Sequence, residues 1–101
     1  MTAARRWITD RVGRAPAELR DQILRDTEGI SATASLPDAL ADAGKAALER
    51  ALAAPADRRT ALDLLAADAL ITLALLAQAE VRPDELGRFA GTLVLVHSAQ
   101  A

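Results

Sequence analysis

The sequence predicts an all-α fold, a single small bundle of four to five helices around a central hydrophobic helix at about 58–80. Three observations carry this expectation. Of the 101 residues, 51% are hydrophobic, nearly all alanine and leucine, which are good helix formers, while β-branched residues are few and Trp7 and Phe89 are the only aromatics. Proline and glycine punctuate the chain at helix-length intervals. The segment from Ala61 to Ala79 is apolar apart from Asp63, Asp68, Thr72 and Gln78. With about 100° per residue from Leu62, residues Leu73, Leu70, Ile71, Leu64, Leu75, Leu65 and Leu76 are spread round its whole circumference. No side of this helix is reserved for water, so it is expected at the centre of the core or at the shared face of an oligomer.

Taking the elements in order, a first helix is expected from Thr2 to Val12, with Trp7, Ile8 and Val12 on one side and Gly13 and Pro16 closing it. A second begins at Pro16 and carries Leu19, Ile23, Leu24 and Thr27 inward before Gly29. The small residues 31–35 form a linker. Ser35 is placed to cap a third helix whose first turn holds Pro37 and Asp38. Its inward residues are Leu40, Ala43 or Gly44, Ala47, Leu48, Ala51 and Leu52. Such small side chains permit close helix approach. Pro55 and Asp57 precede the central helix, with Asp57 or Thr60 as its cap, Thr60 forming a capping-box-like pair with Asp63. Pro83 breaks the chain again and, with Asp84 and Glu85, supplies an acidic first turn to a fifth helix carrying Leu86, Phe89, Ala90, Leu93 and His97. Residues 91–97 have strand-forming valines, but a lone strand lacks a partner, so helix is expected there too. Short linkers imply antiparallel neighbours. The whole chain, 1–101, reads as one domain.

Composition also argues against several functions. The net charge of −2 and isoelectric point near 5.3 speak against a general nucleic-acid binder. There is no cysteine, hence no disulfide or thiolate nucleophile, and this fits a reducing, cytoplasmic setting. The N-terminus has arginines but no apolar core of a secretory signal. A charge-free run of only Ala69 to Ala79, with Asp63 and Asp68 before it, argues against insertion in a membrane. The single histidine, His97, has no motif partner and reads as a residue interacting with a helix C-terminus. No spacing suggests a metal or other cofactor, so none is expected, and the chain is not expected to be an enzyme.

What remains are surfaces. The candidate interface comprises Trp7, Leu64, Asp68, Ile71 and Leu75. Asp68 sits mid-helix and must find water at a solvent-facing seam or an arginine such as Arg6, Arg58 or Arg88. Up to Arg25 the chain carries net +3, and Arg5, Arg6, Arg11 and Arg14 form a candidate basic surface. The expected function is a small helical interaction module, a homodimer through the central helix or a binder of another helical protein. The alternatives are a regulatory nucleic-acid-associated protein using the basic third, and a small-molecule site between helices involving Asp68, Thr72 and Gln78.

Overall fold

Two of the helices begin at a side chain that accepts a free backbone N–H group. In the computed structural model, which describes residues 2–31 and 33–100 with side chains through 93, Thr2 accepts the Arg5 N–H at 3.0 Å and opens α1, Ala3–Arg11. Helix α2 spans Ala17–Asp26, with Pro16 at its cap position. Thr27 closes it by donating its hydroxyl to the Ile23 carbonyl. Helix α3 spans Leu36–Ala53 with Pro37 and Asp38 in its first turn; Ser35 stands at the cap position but makes no side-chain cap. Helix α4, Arg58–Val81, is followed by a 3-10 turn at Pro83–Glu85 and then by α5, Leu86–Gln100. Among the described residues there are five α-helices and no strand, so residues 91–97 are helical as expected. The side chain of His97 lies outside the described residues.

The start of α4 departs from the expected capping pair. Asp57 is the cap and accepts the Thr60 N–H at 2.9 Å, while the Thr60 hydroxyl donates to the Pro55 carbonyl. Asp63 takes no part, because it faces inward on the same side of the helix as Leu70. The hydrogen bond from the Thr60 backbone holds the Asp57 carboxyl below its ordinary value of 3.8. The folded chain therefore binds fewer protons there than the unfolded chain. The stabilisation is present above that ordinary value and is lost as pH falls through the lower, folded one. In thermal melts, Asp57→Ala is expected to lower the melting temperature at pH 7, and the gap from wild type should narrow as the pH drops below 3.8.

The helices assemble on a hairpin of α3 and α4. Its antiparallel sense follows from cross-contacts: Gly44 lies against Ile71 and Leu70, and Arg50 lies against Asp63. A Cβ at Gly44 would stand 3.0 Å from Ile71 Cδ1 and 3.2 Å from Leu70 Cβ. Only glycine fits without displacement, which explains how closely the two helices approach. Around this contact Leu40, Ala47, Ala66, Leu70, Ala74 and Ala77 are wholly buried, and Ile8 of α1 and Ile23 of α2 complete the core. The small residues noted in the sequence do bring the backbones together.

Leu52 was expected to point inward and is 73% exposed. It stands one residue, or about 100°, round α3 from buried Ala51, and the last turn carries it off the inward stripe. The larger correction concerns α4. One arc buries Asp63, Ala66, Ala67, Leu70, Leu73, Ala74, Ala77 and Gln78; the opposite arc leaves Leu64, Leu65 and Leu76 exposed. The helix is core on one side and surface on the other. By length and composition it is also long and apolar enough to cross a bilayer, yet here it packs against α3 and α2 and buries Asp63 beside an arginine.

Candidate functional site

Four surfaces merit comparison, beginning with the outward arc of α4. Ala61, Leu65, Asp68, Thr72, Leu76 and Ala79 recur there at spacings of three or four residues, which keeps all six within about 80° of one another on the helix. Leu64 and Leu75 flank it. Leu64, Leu65 and Leu76 are 46%, 56% and 42% exposed, and no side chain of α1, α2 or α3 covers them enough to bury them. The sequence pointed to Leu64, Asp68, Ile71 and Leu75 on this helix; Leu65 and Leu76 were missed as surface residues. Asp68 is exposed and makes no ion pair among the described residues, so the expected pairing with Arg6, Arg58 or Arg88 is not formed. Arg58 instead binds Glu18, at 2.9 Å to each carboxylate oxygen. The solvent-facing alternative for Asp68 is the one realised. Thr72 donates its hydroxyl to the Asp68 carbonyl, and Gln78 is buried with its amide on the Arg82 carbonyl, so neither joins Asp68 in a polar site.

Beside this seam, α3, α4 and α5 enclose a groove of about 840 Å³. Its apolar walls include Leu48, Leu64, Ala67, Ile71, Phe89 and Leu93, and its charged lining is Asp38, Asp42 and Asp68 with Lys45. Ile71 and Asp68 were singled out in the sequence. The contribution of α3 was legible but missed: Asp38, Asp42 and Lys45 follow one another at helical spacing along a second face of that helix.

Trp7 lies elsewhere. Its ring stacks under the Arg11 guanidinium, 4.0 Å from the ring centroid, and its Nε1 donates to Glu80 at 3.2 Å. Arg11 Nη2 also donates to both oxygens of Glu80 at 3.1 Å. On the α4 wheel Glu80 stands about 180° from Ile71, so the tryptophan clamps α1 to the far side of the helix from the groove. The basic surface is divided accordingly: Arg11 is engaged by Glu80 and Arg5 by the Leu24 carbonyl, leaving Arg6 and Arg14 exposed.

The fourth is a polar cluster inside the bundle. Arg50 Nη2 reaches Asp26 at 2.9 Å and Asp63 at 3.4 Å, and both aspartate side chains are only 7% exposed. Gln22 donates to Asp26 and accepts from Arg25, extending the chain of contacts. Asp26 Oδ2 is buried with no hydrogen-bond partner among the described residues. The cluster ties α2, α3 and α4 together, and its chemistry is that of a structural cross-link. Its signal was available on the α4 wheel, where Asp63 falls about 20° from Leu70 and therefore on the core side.

Catalytic groupings are not apparent in these surfaces. The hydroxyls of Thr9, Thr27, Thr60, Thr72 and Thr92 each donate to a backbone carbonyl of their own or the preceding turn. Among the described residues no group of three or more His, Cys, Asp or Glu side chains is placed to hold a metal ion. Compared with protein-family models, with curated proteins and with solved structures, the chain shows no match.

Proposed function

We propose that the chain is a small helical interaction module that pairs with a second copy through the outward face of α4. The observation that carries this reading is the seam of Ala61, Leu65, Asp68, Thr72 and Leu76, exposed in the single chain, with half-buried Ala79 at its end; it is apolar at both ends. Contiguous exposed apolar surface of this kind is uncommon on monomers and marks contact sites. From Ala61 to Ala79 the seam is about 27 Å long. Two-fold pairing uses the same surface on both partners, so one seam suffices.

The polar residues of the seam favour one orientation. With two α4 helices antiparallel and crossing at the level of residue 70, the middle of the 61–79 seam, Asp68 of one copy lies opposite Thr72 of the other. Parallel pairing would set Asp68 against Asp68, placing like charges together in a partly dried interface. The antiparallel arrangement staggers the two carboxylates by about 6 Å along the axis and sets each beside a threonine, which eases that repulsion.

Size-exclusion chromatography with light scattering tests the proposal. Wild type is expected to elute as a dimer that dissociates on dilution. Leu65→Glu with Leu76→Glu should give a monomer of unchanged helicity, because both side chains are already exposed. A wild-type monomer at high concentration, or a double variant that stays dimeric, would overturn the reading.

A further inference from the structure

The groove between α3, α4 and α5 shares Asp68 with the pairing seam, but its apolar walls and the carboxylates of α3 are features that the seam does not use. Its volume of about 840 Å³ is suited to a small organic molecule rather than a single ion or water. The walls are supplied by Leu48, Ala67, Ile71, Phe89 and Leu93, so most of a ligand's surface would meet carbon. Charge at the groove is one-sided: Asp38 and Asp42 on α3 and Asp68 on α4 stand against the single ammonium of Lys45. None of the three carboxylates has an ion-pair partner among the described residues, although Glu18, Asp26, Asp63 and Glu80 of the same fold all do. Asp38 lies in the first turn of its helix, where backbone N–H groups already favour its charge. Asp42 and Asp68 have no such compensation, and they sit on two different helices that line the same trough.

Carboxylates beside an apolar trough concentrate negative potential more effectively than the same groups on a flat surface, because the protein walls screen poorly. A positive ligand head gains from that potential, whereas an anion of the same shape is repelled. Phe89 adds an aromatic wall to which a cation is also attracted. We propose that this groove binds an organic cation with an apolar body, of the alkylammonium or arylalkylammonium class, its head near Asp42 and Asp68 and its body along Leu48, Ile71 and Phe89.

Three probes with one body and three heads test the assignment: 4-phenylbutylamine, cationic at neutral pH, 4-phenylbutanol and 4-phenylbutyrate. Each is titrated into the full chain at pH 7 and followed by the amide shifts of groove residues in proton–nitrogen correlation spectra. The amine is expected to shift amides of α3, α4 and α5 around the groove and to bind about tenfold tighter than the alcohol, with the acid weaker than either. Asp42→Asn with Asp68→Asn should remove the preference for the amine and leave the alcohol's affinity unchanged. These exposed positions carry no packing role within the single chain, and the variant's melting temperature and its mass by light scattering report on folding and pairing. Equal affinity for amine and alcohol, shifts scattered over the surface, or no groove shifts with any probe would each overturn the assignment. The same titration on the Leu65→Glu, Leu76→Glu chain separates this site from pairing, since the groove belongs to a single chain and its amide shifts should persist without a dimer.

Discussion

Leu70→Asp is expected to abolish cooperative folding. Leu70 is wholly buried at the Gly44 contact between α3 and α4, and its Cβ lies 3.2 Å from where a Cβ of Gly44 would stand. The substitution removes a leucine side chain from a dense core, a loss of about 2–5 kcal/mol, and adds the cost of an unpaired buried carboxylate. A domain of this size has a total stability of about 5–15 kcal/mol, so the sum reaches most or all of it. Circular dichroism should show a chain without a cooperative melting transition at pH 7. The same substitution only five residues away gives the opposite result: Leu65→Asp, at a position 56% exposed, should leave the melting temperature of the isolated chain nearly unchanged. If Leu70→Asp melted like wild type, α4 would not be the core helix.

Removal of the arginine that joins Asp26 and Asp63 ranks second. Arg50→Met keeps the length of the side chain but leaves two carboxylates, each 7% exposed, facing one another without a cation. Breaking a fully buried ion pair costs about 3–5 kcal/mol; Arg50 is 44% exposed and water reaches it, so the expected loss is about 2–3 kcal/mol, read as a lower urea midpoint. Arg50→Lys should recover only part of it, since a single ammonium does not bridge two acceptors as a guanidinium does. Asp26→Asn combined with Asp63→Asn in the Arg50→Met background should restore most of the loss. By comparison Arg58→Met, which breaks a pair whose side chains are 84% and 65% exposed, should change stability by less than about 0.5 kcal/mol.

The helices were legible in the sequence because their boundaries are local chemistry. Thr2, Pro16, Pro37, Asp57 and Pro83 mark helix starts through caps and fixed backbone angles, and none of those signals depends on distant residues. The central position of residues 58–80 was legible too, because no other segment has enough leucine to form a core. Which half of that helix faces inward was not legible from hydropathy alone, since leucines lie on both halves. The decision comes from alanines and from glycine: Ala66, Ala67, Ala74 and Ala77 lie on the arc that Gly44, Ala41 and Ala47 can approach, and the larger Leu64, Leu65 and Leu76 are left outside. Small residues set the packing face here, while hydropathy does not distinguish the two sides.

The candidate surfaces were partly legible for the same reason. Leu64, Asp68 and Ile71, expected from the sequence as interface residues, line the groove, whereas Asp42, Lys45 and Phe89 belong to other helices, and only the tertiary arrangement brings them alongside. Trp7 was expected in the candidate interface; its ring is held by Arg11 and Glu80 of its own chain. Asp63 looked like a cap because it stands three residues after Thr60, yet Asp57 caps the helix and frees Asp63 for Arg50. In both cases a distant charged partner, invisible in local spacing, sets the role.

The account rests on α4 having one face for its own core and one for a second copy, and the face can be identified directly. In a sample mixing isotope-labelled and unlabelled chains, filtered nuclear Overhauser spectra report contacts between molecules only. The expected result is intermolecular cross-peaks from the methyl groups of Leu65, Thr72 and Leu76, with Leu65 of one chain near Leu76 of the other, and none from Leu70 or Leu73. Intermolecular contacts confined to other helices, or no such contacts at concentrations where light scattering finds a dimer, would contradict it.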